Sequence, residues 1–196
     1  MSEPARYHAV VIGCSAGGLQ ALIILLGDLP VKCQIPIMVV QHRSKDERDL
    51  LEEVLQNRCK IRIRQADEKQ TIESSCVYIA PPDYHLLVEQ DMTFSLTTDE
   101  KVNYARPSID ILFETAAEVY RNKLVGIILT GANSDGSNGI KAIRKNRGLT
   151  IAQDLAEAEY PTMPEAAVKS GAVDKILRLE EIRQFLLKQA GMARTA

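Results

Sequence analysis

The chain has 196 residues, 45% of them apolar and 26% charged, which suits one domain spanning 1–196 with its own hydrophobic core. A net charge of −2 without a single Trp leaves no basic footprint for nucleic acid, and the longest apolar run, 19–26 broken by Gln20, is too short for membrane insertion. The first residues are polar, unlike an export signal, and the four cysteines form no C-x-x-C pair, so a reduced, cytoplasmic protein is expected.

Short β-branched runs alternate with helical patterns along the chain. The first strand is expected over 7–12, and the glycine-rich stretch 13–18 leads into a helix reaching about residue 26. Pro30 and Pro36 punctuate the return to a strand over 37–40 that ends at Gln41. The spacing of Leu50, Leu51, Val54 and Leu55 predicts a helix over 46–57, followed by a short strand at 61–64. Three strand-like runs follow, 77–80, 86–89 and 93–97, with Pro81-Pro82-Asp83 turning between the first two. They lie too close together for helical crossovers, which points to an antiparallel meander. Pro107 then opens a helix running to about Tyr120. A strand at 124–129, a helix at 137–146, a strand at 149–152, a helix at 164–170, a strand at 173–177 and a helix at 180–189 complete the chain. This alternation predicts an α/β fold, a doubly wound and mostly parallel sheet with helices on both faces and an antiparallel hairpin or meander inserted. Ligands bind beyond the carboxyl ends of the strands in such open sheets, so the residues just after each strand are the candidates for chemistry.

The first strand is followed by Gly13-Cys14-Ser15-Ala16-Gly17, a G-x-S-x-G sequence in the strand-turn-helix setting that motif requires. Ser15 would sit at a helix N-terminus, where free N–H groups and the helix dipole favour a developing oxyanion. A phosphate-binding loop, or a serine that only caps the helix, fits the same residues. The second strand ends at Gln41-His42. Of the three histidines, His8 lies within the first expected strand and His85 within the meander, so His42 is the favoured base. The strand at 124–129 runs into Thr130-Gly131-Ala132-Asn133-Ser134-Asp135-Gly136. Asp135 could orient an imidazole there or cap the next helix, and Asp154, beyond the following strand, competes for the same role. A metal centre has little support: Asp83-x-His85 is the nearest thing to a ligand pair and reads as a turn. The order Ser, His, Asp also differs from the Ser, Asp, His order of α/β-hydrolases.

VVIGCSAGG, the VVQH strand end, VYIAPPDYHLLVE, RPSIDILFETAA, ILTGANSDGSNGIKAI, IAQD and TMPEAA, in that order, resemble the catalytic domain of chemotaxis protein-glutamate methylesterases. The resemblance spans about 7–176. It implies a doubly wound α/β hydrolase without cofactor or metal that demethylates glutamate methyl esters on the cytoplasmic domain of methyl-accepting chemoreceptors, and that in many members deamidates glutamines. The family's catalytic serine, histidine and aspartate fall on Ser15, His42 and Asp135, which selects Asp135 over Asp154. Backbone donors at Ala16 and Ala132 would form the oxyanion hole, and Arg106 and Met163 would lie on the substrate-binding face. Two departures touch the rim: Ala132-Asn133 stands where the family usually reads Met-Gly, and Thr162 where glycine usually precedes Met-Pro. Many members also carry an N-terminal receiver domain. Six residues precede the first expected strand here, so the resemblance implies constitutive activity or control by a separate partner. The competing expectations are a catalytically weak, receptor-binding signalling module of the same fold and, further off, a nucleotide-binding domain using 13–18.

Overall fold

A computed structural model describes residues 6–43 and 50–191. Among the described residues nine strands and six α-helices follow in chain order: β1 (Ala9–Cys14), α1 (Gly18–Leu26), β2 (Ile37–Gln41), α2 (Leu51–Gln56), β3 (Arg62–Gln65), β4 (Cys76–Ile79), β5 (His85–Val88), β6 (Phe94–Thr97), α3 (Ile109–Tyr120), β7 (Leu124–Ile128), α4 (Ser137–Lys145), β8 (Leu149–Gln153), α5 (Thr162–Lys169), β9 (Lys175–Leu177) and α6 (Leu179–Gln189). Seven strands form one parallel sheet in the order β3-β4-β2-β1-β7-β8-β9, while β5 and β6 pair antiparallel as a separate hairpin.

The central strands read as near-continuous apolar runs because both of their faces are covered. Val10, Ile12, Ile37, Val39, Val125 and Ile127 pack under α1, α2 and α6, whereas Ala9, Val11, Met38, Val40 and Ile128 face α3, α4, α5 and the hairpin. The two rims are short and charged, Arg62 and Arg64 on β3 and Lys175 on β9, which discourages further strand pairing.

β4 departs from expectation. It is not the first strand of an antiparallel meander but lies parallel between β2 and β3. Its residues require an interior place, since Val77 and Ile79 belong to one core and Cys76 and Tyr78 to the other. The connection from β3 crosses without a helix, braced by backbone bonds between 69–72 and 92–94 on the hairpin. Residues 46–49 of the expected second helix lie outside the described residues, and α2 covers its later part. α3 begins two residues after Pro107, because Ser108 is held extended as its N-cap. The other helix and strand boundaries differ from the sequence reading by a few residues.

The chain moves to one side of β1 for β2 and to the other for β7. The carboxyl ends of these three neighbouring strands therefore open onto one crevice.

Candidate active site

The turn after β1 is built to present Ser15. Gly17 takes the left-handed conformation (φ 77°) that lets the chain reverse into α1. The Ser15 N–H donates to Thr130 O (3.0 Å), and the Thr130 hydroxyl donates to Ala16 O (2.9 Å), so the β1 and β7 loops brace each other. Gln41, buried at the end of β2, donates through its amide to Ser15 O (2.8 Å) and His42 O (2.9 Å) and accepts from the Cys14 thiol (3.1 Å). One side chain thus ties the backbones of Ser15 and His42 together.

His42 follows β2, and its Nε2 lies 2.8 Å from Asp135 Oδ2. Asp135 is fully enclosed and accepts from the Ile109 N–H (2.7 Å), the Asp110 N–H (3.2 Å), the Ser108 hydroxyl (2.9 Å), the Asn103 amide (3.1 Å) and the Gly136 N–H (3.0 Å). Burial by itself would raise this carboxyl, but the bonds from His42, the Ile109 N–H and Asn103 outweigh it and hold it below the usual aspartate range. An ionised Asp135 fixes the proton of a neutral His42 on Nε2 and leaves the Nδ1 lone pair to accept. Asn133 donates to that lone pair from 3.1 Å.

Ser15, His42 and Asn133 line a cleft of about 620 Å³ together with Arg43, Asp83, Lys101, Tyr104, Ala105, Arg106 and Pro107. The wall from 98 to 107 is held by Arg106, which donates to Asp83 Oδ1 (2.7 and 3.1 Å) and to the carbonyls of Thr98 (2.6 Å) and Asp99 (2.9 Å). Buried His85 bridges the same wall, accepting from the Ser108 N–H at Nδ1 and donating from Nε2 to Glu100 O.

Ser15, His42 and Asp135 therefore converge at neighbouring strand ends, as candidates for nucleophile, base and orienting acid. The Ala16 and Ala132 N–H groups lie in the two loops flanking Ser15, with no acceptor among the described residues. Arg106 lines the cleft, although its guanidinium is engaged in holding the wall. Met163 stands apart: it is buried, packs against Gly131 and supports the β7 loop from beneath instead of lining the cleft. Asp154 has its partners elsewhere: it accepts from the Ala156 N–H and pairs loosely with Arg178. Asn133 has no left-handed backbone, and the β7 loop places that conformation at Gly136 (φ 94°). Gln41, Asn103, Ser108 and His85 gave no sign in the sequence of their part in the site, beyond the place of Ser108 just before a helix, which suggests capping.

A family model described as CheB methylesterase matches residues 10–186. A protein of Leptospira interrogans, provisionally named a protein-glutamate methylesterase/protein-glutamine glutaminase, is 49% identical over 93% of this chain and 95% of its own length. A Maricaulis maris protein-glutamate methylesterase/protein-glutamine glutaminase is 34% identical over 95% of this chain, and the match spans 47% of that longer protein. Among solved structures, the Thermotoga maritima CheB methylesterase catalytic domain superimposes with a TM-score of 0.88 at 31% identity, covering 93% of this chain and 98% of that one.

Proposed function

This chain belongs to the CheB methylesterase family, and from that premise we propose that residues 1–196 act as one catalytic domain hydrolysing glutamate methyl esters on the cytoplasmic part of chemoreceptors. Ser15 Oγ attacks the ester carbonyl while His42 Nδ1 takes its proton. Asp135 holds the Nε2–H and stabilises the imidazolium that forms. The Ala16 and Ala132 N–H groups receive the oxyanion. The tetrahedral intermediate collapses, His42 returns its proton to the departing methoxide and methanol leaves. Water activated by His42 then attacks the acyl-enzyme, releasing the glutamate carboxylate and restoring Ser15. A glutamine substrate follows the same course with ammonia as leaving group. No step calls for a cofactor or metal.

The observation that carries this reading is the 2.8 Å contact between His42 and a buried, many-times-bonded Asp135 in the cleft that Ser15 lines. The proposed site of action is the cytoplasm. No helix among the described residues is long and apolar enough to cross a membrane.

A receptor-binding module of weak activity is the second reading, favoured by one feature, the Asn133 amide on the base nitrogen. Methanol release from a methylated receptor fragment separates the two. Turnover that falls on the order of 10⁴-fold or more in Ser15→Ala supports the esterase. A chain that binds the fragment without releasing methanol, and whose Ser15 resists an activated serine-hydrolase probe, supports the module.

A further inference from the structure

Both nitrogens of the His42 ring are engaged, and neither bond is with Ser15. Nε2 meets Asp135 Oδ2, and Nδ1 meets Asn133 Nδ2 at 3.1 Å. The far end of the Asn133 amide fixes its orientation: Oδ1 accepts from the Asp135 N–H (3.1 Å), which leaves the nitrogen facing the ring. Asn133, His42 and Asp135 thereby close a hydrogen-bonded cycle. A neutral imidazole offers one in-plane lone pair, so the amide and the Ser15 hydroxyl compete for it.

We propose that Asn133 is a positioning residue that latches the general base. Its amide holds the His42 lone pair in the resting chain, and Ser15 gains its proton acceptor when a group entering the cleft displaces that amide. The inference rests on Ser15 and His42 acting as nucleophile and base. The latch also opposes the step after activation. Once His42 carries the serine proton, Nδ1–H faces the Asn133 N–H, donor against donor, so the amide disfavours the imidazolium while it stays in place. Asn133 lines the cleft and is only partly buried, which places it in the path of an entering substrate. The loop carrying it is held independently, by the Gly131 N–H on Tyr160 O and the Met163 N–H on Gly131 O, both 2.9 Å.

Asn133→Ala and Asn133→Ser test the latch. Neither substitution strains the backbone, and serine retains an oxygen that can accept from the Asp135 N–H without reaching His42. The first readout is the rate at which an activated fluorophosphonate labels Ser15, with Ser15→Ala as control. Both variants are expected to label faster, on the order of fivefold, the factor corresponding to one competing neutral hydrogen bond. The second readout is the ¹⁵N spectrum of His42. With Ser15→Ala added, so that no serine hydroxyl takes over the lone pair, the unprotonated nitrogen should lie upfield while Asn133 is present, as a hydrogen-bonded lone pair does, and move downfield when Asn133→Ala or Asn133→Ser is combined with it, Nε2 staying protonated. Labelling that is unchanged or slower in both variants overturns the latch, and so does a His42 nitrogen signal that does not move. Failure of Ser15 to label in any chain, the unmutated one included, removes the proposed esterase and the latch with it.

Discussion

Asp135 and Asp110 cap each other's helices. Asp135 precedes α4, yet it accepts from the first N–H groups of α3, at 2.7 Å from Ile109 and 3.2 Å from Asp110 itself. Asp110, in the first turn of α3, accepts from the Gly139 N–H of α4 at 2.7 Å and from the Asn138 amide at 3.3 Å. Each carboxylate thus meets the positive end of the other helix, where orphan N–H groups and the dipole favour an anion. The candidate catalytic acid is therefore also part of the device that packs α3 onto α4.

Removing the partner carboxylate should consequently harm stability more than chemistry. Asp110→Ala leaves the buried Gly139 N–H without its acceptor and frees the Asn103 amide that spans Asp110 and Asp135. The expected cost is about 2 kcal/mol, the range for bonds to charged groups, read as a lower urea midpoint with an unchanged slope. Ser15 labelling should fall less than in Asp135→Ala. An Asp110→Ala chain as stable as the unmutated one would count against the cross-cap.

The two carboxyls carry opposite signs in acid. Asp135 is held below its ordinary range, so it binds a proton less readily folded than unfolded. Its contribution to stability is complete above the unfolded value of about 3.9 and is lost as pH falls through the lower, folded value. Asp110 is raised by burial first and then by the charge of Asp135, despite the Gly139 N–H, so its share of stability declines as pH climbs above the unfolded value. The difference in unfolding free energy between the unmutated chain and Asp135→Asn should shrink as pH falls from about 4.5 to about 3. Urea denaturation across that range checks it. A difference that instead grows on acidification would reverse the assigned sign.

The parts of this molecule that a sequence shows are those governed by local pattern. β1, β2, β7 and β8 are legible because strands buried on both faces must be apolar throughout. Ser15 and His42 are legible as candidates because strand ends in a parallel sheet converge whatever the chain length between them; the same reasoning left Asp135 and Asp154 open, and the family resemblance chose Asp135, 93 positions from the His42 it meets. The neighbours of β4 were not legible, since its residues call for burial on two faces without naming the strands beside it. Gln41 and Asn103 were hidden for a related reason. An amide shows no preference for a distant carbonyl or carboxylate until the fold brings the two together, as Asn103 meets Asp135 across 32 positions.

Gln41 tests whether that hidden support matters. Its amide bridges Ser15 O and His42 O, and neither alanine nor leucine can replace the two donated bonds. Gln41→Ala should cost about 1–2 kcal/mol in stability and lower kcat by about 10-fold or more, because a small displacement of nucleophile from base is costly to the rate. KM should change little, since Gln41 does not line the cleft. Steady-state kinetics on the methylated fragment give the split, and a rise in KM at constant kcat would assign Gln41 to substrate binding instead.

Tyr104 offers the opposite experiment, a gain in stability beside the site. It is 98% exposed and adopts a left-handed backbone (φ 63°), directly after Asn103 in the same conformation (φ 51°). The pair forms a tight turn closed by reciprocal bonds between Val102 and Ala105 (3.2 and 2.9 Å). A bulky residue pays about 1–2 kcal/mol for that backbone, and an exposed ring recovers little of it by packing. Glycine removes the strain but gains freedom in the unfolded chain, at a cost of about 0.5–1 kcal/mol. Tyr104→Gly should therefore leave the protein more stable by about 0.5–1 kcal/mol, with a melting temperature a few degrees higher. If the variant is less stable, the ring must be making a stabilising contact that outweighs its backbone. If stability rises while KM for the receptor fragment also rises, the strained tyrosine is retained at the cleft mouth for the substrate it meets there.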